Sequence, residues 1–221
     1  MTDLKEKIKN LYKNFTLKTI IVTIFSLLIT FLFAIFNGYL GLIYGDTFGI
    51  GISIYYLLLV VVKTRSLLVE KSLISKDIQE KVQKRKINYL ISSIFMFIID
   101  VCLIAPIIIM VLNPKQVSFG IIPAITFATY TTYKLVFSII NYKKANRTKN
   151  LTITLLKELD IVDALVSILS LQHILIMVNG WMTSELRRLS LVSSLAILLV
   201  IIIFSILIFI KNFQSKKENK F

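Results

Sequence analysis

Polar and apolar residues come in blocks along this chain rather than in alternation. Six apolar blocks stand at residues 20–36, 41–62, 89–112, 119–142, 161–180 and 189–210. A helix needs about 20 mostly apolar residues to cross a bilayer. The pattern therefore predicts an all-α protein, a six-helix transmembrane bundle. The second and fifth blocks are the least oily. The expected organisation is a cytoplasmic segment at 1–18, a six-span domain at 19–212 and a basic tail at 213–221.

Charge gives an independent reading of the same layout. Lys and Arg number five in residues 1–18, eight in 63–88, five in 143–159 and four in 211–221. The opposite side carries only Lys115, Arg187 and Arg188, and Lys134 lies inside the fourth block. Cationic loops stay in the cytoplasm, so both termini are expected inside, in the plasma (cytoplasmic) membrane. The net charge of +14 is explained by this placement, and nucleic acid is not expected as a partner. Composition agrees: 56% of residues are hydrophobic and the mean hydropathy is +0.80. A soluble chain of 221 residues could not hide that much apolar surface. The abundance of Ile, Lys and Asn suggests an AT-rich bacterial genome.

The start of the chain is charged, without a compact apolar run before a small-residue cleavage site, so a cleavable signal peptide is not expected. Leu4, Ile8, Leu11 and Phe15 share one helical face among lysines, and Asp3 with Glu6 fits a capping box. The segment reads either as an amphipathic helix on anionic lipids of the cytoplasmic face or as a frayed charged tail. Residues 63–88 read as a cytoplasmic continuation of the second helix before the chain turns back.

Five of the seven glycines lie between residues 36 and 56. Gly41, Gly45 and Gly49 are spaced by four and predict one helix face. In lipid, small residues at that spacing let backbones approach closely, within the chain or across a homodimer. The alternative is a backbone break that exposes carbonyls to a solute. Asp46 lies near the outer end of this span, where water can solvate it.

Ionisable residues at bilayer depth are costly and mark candidate sites. At about 1.5 Å per residue, Asp100 lies roughly 16 Å from the cytoplasmic end of its span and Lys134 roughly 12 Å. They are close enough in depth to pair as helix glue; the alternative is a place on a solute or proton path. His173 is deep in the fifth span, a titratable group or a neutral one bonded to a backbone carbonyl. Asp163 is one turn inside the same span. Tyr55, Tyr56, Tyr130 and Tyr133 line a polar cavity or form an interfacial belt. There is no P-loop, no G-x-S-x-G, no H-E-x-x-H and a single histidine. An enzyme is not expected, and no cofactor. One cysteine, Cys102, excludes an internal disulfide and a cysteine metal cluster.

The stretch "FLFAIFNGYLGLIYGDTFGIGISIYYLLLVVVKTRSL" resembles the first hairpin of cation diffusion facilitators. "TYKLVFSIINYKKANRTKNLTITLLKELDIVDALVSILSL" is similar to their fourth helix, basic loop and fifth helix, with "DALVS" at 163–167 the best local match. The resemblance implies a homodimeric divalent-cation/proton antiporter fold. It also implies a zinc site of two Asp or His residues on each of the second and fifth helices. Here the second helix offers Ile, Ser, Tyr and Leu at those places. On the fifth, Asp163 matches one ligand, Leu159 stands at the other, and Asp160 is out of register. One carboxylate cannot hold tetrahedral zinc, so no metal is expected. Three functions follow: a small secondary transporter for a cation or other solute; a non-transporting scaffold, regulatory or immunity-type protein; or the substrate-binding membrane subunit of a vitamin importer.

Overall fold

The computed structural model describes residues 15–73, 77–112, 121–147, 150–179 and 184–217. The amphipathic segment expected before residue 15 and the end of the basic tail lie outside the described residues. Within them the chain is helical, without strands: α1 (Phe15–Tyr44), α2 (Thr47–Ser72), α3 (Ile78–Cys102), α4 (Ile104–Leu112), α5 (Ile121–Ala145), α6 (Leu151–Asn179) and α7 (Ser184–Lys217). Only Leu103 separates α3 from α4. Pro106 causes that break, since it has no N–H to give and its ring crowds the carbonyl four residues back.

Counting α3 with α4 as one rod, five rods among the described residues are long and apolar enough to cross a membrane. The chain is thus a multi-pass helical membrane protein. The 25-residue α5 is not among the five; Lys134 and four threonines dilute its apolar surface. Outward faces are apolar, with Phe25, Leu32 and Ile35 on α1 and Leu195, Leu199 and Ile203 on α7 all exposed. Such a surface suits lipid and not water.

The bundle is organised around α6. Of its apolar window 61% is buried, against 22% for α1 and 28% for α7. Leu155, Leu159, Val162 and Val166 of α6 meet Phe48, Ile52, Tyr56 and Leu59 of α2 in the main core. α1 packs on α2, α5 on α6, and α3 on α7 and α2.

Two of the helix boundaries that differ from the sequence expectation bear on the site. α6 starts at Leu151, a decade of residues before the apolar block at 161. Its first turns carry Lys157, Glu158 and Asp160, which hydropathy reads as loop, yet all three are buried. The second helix starts at Thr47 and not at Gly41. The three glycines are therefore not one helix face. Gly41 lies in the last turn of α1, Gly45 turns the chain with φ 61°, and Gly49 lies in the first turn of α2. The Asp46 amide donates to the Gly41 carbonyl at 2.9 Å, a bond that closes a helix end through a left-handed glycine. Asp46 then caps α2, accepting from the Gly49 amide at 2.8 Å. A methyl on Gly49 would stand 3.0 Å from the Asn37 carbonyl and 3.3 Å from Gly41 Cα. The close approach is thus between α1 and α2, at a hairpin.

Candidate functional site

α6 presents a polar stripe at helical spacing: Asp160, Asp163, Ser167, Ser170 and His173. All are buried. Leu151 opens the helix, so Asp163 lies roughly 18 Å along it at about 1.5 Å per residue. It is more than three turns into α6, because the helix starts ten residues before the apolar block.

Asp163 is the centre of a chain of charges drawn from three helices. Lys134 of α5 donates to Asp163 Oδ1 at 2.6 Å and to Ser167 Oγ at 2.8 Å. Lys63 of α2 lies between the two carboxylates, 2.8 Å from Asp163 Oδ2 and 2.9 Å from Asp160 Oδ1. Lys157 closes the series, 2.8 Å from Asp160 Oδ2. From α1, Thr30 donates to Asp163 and Ser26 to Asp160. The order is Lys157, Asp160, Lys63, Asp163, Lys134. It begins and ends on an ammonium, so one positive charge is left over. Glu158 is buried on α6 too, but it turns away and accepts from the Tyr89 hydroxyl at 2.6 Å. Charges held this far from water survive only when paired and hydrogen-bonded.

Lys134 Nζ also lies 5.4, 5.6 and 5.9 Å from the ring centres of Phe33, Tyr56 and Tyr130. Aromatic faces at such range attract a cation. An ammonium has three donors, and the acceptors found for Lys134 are Asp163 and Ser167. A hollow of about 120 Å³ between α1 and α5 opens beside it, lined also by Ser26, Ser138, Asn141 and Asp160.

The Asp100–Lys134 pair that their depths allow does not form. Depth along a helix says nothing about azimuth: α3 packs on α7 and α2, while α5 packs on α6. Asp100 instead accepts from the Tyr55 hydroxyl at 3.0 Å and from Ser205 of α7, with no cation beside it among the described residues. Tyr56 bonds Ser167 and Ser170 at 3.3 and 3.4 Å. Both tyrosines are buried, so neither belongs to an interfacial belt.

At the other end of the stripe, His173 Nε2 lies 2.7 Å from Asp46 Oδ2. The carboxylate can only accept, so the ring donates. His173 thus bonds a side chain, not the expected backbone carbonyl, and its Nδ1 finds no partner among the described residues. Asp46 is 3% exposed and not solvated as its terminal position suggested. Burial pushes its carboxyl up, but the His173 ring and the Gly49 and Phe48 amides outweigh that and hold it below the ordinary aspartate range.

Sequence reasoning missed Lys63, Lys157 and Asp160 as site residues. Lys63 sits at the edge of an apolar run and was counted with the cytoplasmic loop; it is fully buried. A signal existed, since Lys63 falls two turns after Tyr56 on the same face of α2. Among the described residues, no three His, Cys, Asp or Glu side chains gather as a metal site requires. Each Asp163 oxygen is instead taken by an ammonium. Comparison of the chain with protein-family models, with curated proteins and with solved structures found no match.

Proposed function

We propose that this chain is a small secondary transporter of the cytoplasmic membrane, with six spans and both termini inside, that moves an anion together with a proton. The supporting observation is the uneven charge chain of α2, α5 and α6 beside a polar hollow. Unbalanced charge inside a membrane is expensive and is kept for function. The surplus is removed in two ways: an anion enters the hollow beside Lys134, or one lysine gives up its proton. Anion and proton therefore arrive together and leave together. The same surplus argues against a metal cation as cargo, because Lys63 and Lys134 occupy the carboxylate that the cation-efflux resemblance assigns to metal.

The orientation rests on the cationic loops. Two of the basic residues counted there, Lys63 and Lys157, are buried partners of Asp160 and Asp163. Removing both leaves the bias toward the inner side intact.

Uptake into liposomes tests the proposal, with a panel of anions and cations under imposed pH gradients. The expected result is anion flux driven by an inward proton gradient and lost in Lys134→Met. Absence of flux for every ion tried sinks it. A non-transporting scaffold is the second reading, and Asp100 favours it. That carboxylate is sealed between Tyr55 and Ser205, as a purely structural group is.

A further inference from the structure

The hollow beside Lys134 does not end at the charge chain. A larger apolar hollow of about 570 Å³ adjoins it along the seam between α1 and α5, lined by Leu32, Phe33, Phe36, Thr126 and Phe127. Ile29 and Tyr130 line both parts. The seam exists because the backbones of α1 and α5 pack closely on other helices and stay apart from each other. They touch through rings: Phe33 lies 4.9 Å from both Phe127 and Tyr130. Its outer lips, Phe25, Leu32 and Tyr133, are exposed on the lipid-facing surface.

The groove is thus polar at one end and apolar at the other. α1 and α5 are antiparallel in the proposed orientation, and both place the polar end toward the cytoplasmic side: Ser26 in the N-terminal half of α1, Ser138 and Asn141 in the last turns of α5. From Ser26 to Phe36 is roughly 15 Å at about 1.5 Å per residue. That is half of a hydrocarbon core about 30 Å thick.

We propose that this groove holds an anionic phospholipid of the inner leaflet, its phosphate beside Lys134 and one acyl chain along Phe33, Phe36 and Phe127. This deepens the reading of Lys134 as an anion site, and rests on it. Charge complementarity selects the headgroup. Both Asp160 oxygens are already engaged by Lys63 and Lys157, so the carboxylate at the hollow is neutralised. Lys134 keeps a third donor, and Asn141 and Ser138 offer more. A zwitterionic headgroup brings a cation into a place that already has one too many. The apolar hollow selects an amphiphile over a free anion; its volume falls in the range of about 300–1,000 Å³ that holds drug-sized ligands.

The experiment is native mass spectrometry of the full chain in detergent, titrated with phosphatidylglycerol and, separately, with phosphatidylcholine. One phosphatidylglycerol is expected to bind at least about tenfold tighter than phosphatidylcholine, a difference of about 1.4 kcal/mol. Two kinds of variant separate the ends of the groove. Ile29→Trp and Thr126→Trp fill it without touching the charge chain, and should abolish binding while leaving the thermal midpoint unchanged. Lys134→Met should remove the preference between the two lipids. Equal binding of both lipids by the parent chain overturns the proposal, and so does full binding in Ile29→Trp. Displacement of phosphatidylglycerol by an equal concentration of inorganic phosphate overturns the acyl-chain part, because only the polar hollow would then be the site. A dimer that excludes lipid overturns it in favour of a second copy in the groove. Lipid binding without ion flux leaves this inference standing while the transport reading fails; flux without lipid preference does the reverse.

Discussion

At the scale of single residues, what matters is where each buried ionic group finds its partner. Asp100 and Asp163 are both fully buried carboxylates, yet their surroundings differ. Asp163 accepts from two ammonium groups and a hydroxyl. Among the described residues, Asp100 accepts only from the hydroxyls of Tyr55 and Ser205. Those partners do not require a charge, so the role of Asp100 is to satisfy two donors at the α2, α3 and α7 junction. Asp100→Asn keeps an acceptor and should change the thermal midpoint in detergent only slightly. Asp100→Leu orphans both hydroxyls, at about 1–3 kcal/mol each, and should lower the midpoint sharply. Equal damage from the two substitutions would show that the charge itself is needed there.

At the scale of elements, the α1–α2 hairpin depends on glycine for two different reasons. Gly45 is needed for its backbone, with φ 61°. Gly41 and Gly49 are needed for space. A methyl on Gly41 would stand 2.7 Å from the Ile50 amide nitrogen, and backbone cannot step aside as a side-chain end can. Asn tolerates the left-handed region, whereas a β-branched residue does not. Gly45→Asn should therefore cost little, and Gly45→Val more than the roughly 1–2 kcal/mol typical of that region. A thermal melt that ranks Val level with Asn would contradict the turn assigned here.

The hairpin also shows how far the sequence could be read. The spacing of Gly41, Gly45 and Gly49 pointed to close backbone contact. It did not say whether the three share a helix, because that depends on where the helix breaks. Likewise, the apolar blocks located the rods but misplaced the start of α6. Lys157, Glu158 and Asp160 look like loop residues unless their partners are known, and those partners lie on α1, α2 and α3. Lys134 and Asp163 were both legible as costly intramembrane charges. Their pairing was not, since it follows from α5 neighbouring α6 and not α3.

At the scale of the whole molecule, three lysines and two aspartates act as one unit that ties α2, α5 and α6 together. The count predicts an asymmetry that pairwise bookkeeping misses. Removing Lys134 leaves two ammonium and two carboxylate groups, a balanced set. Removing Asp163 leaves three ammonium groups and one carboxylate. Breaking a buried ion pair so that charge is left uncompensated costs about 3–5 kcal/mol, and Asp163→Leu should show a loss of that size. Lys134→Met should cost less, on the order of 1 kcal/mol for its lost hydrogen bonds.

The most direct test is a double-mutant cycle of Lys134→Met and Asp163→Leu, read as thermal midpoints of the purified protein in detergent. The charge chain predicts that Lys134→Met is mildly destabilising in the parent protein and stabilising in the Asp163→Leu background, where it removes a stranded ammonium. If Lys134→Met lowers the midpoint by the same amount in both backgrounds, the two side chains are not linked, and the site described here does not exist.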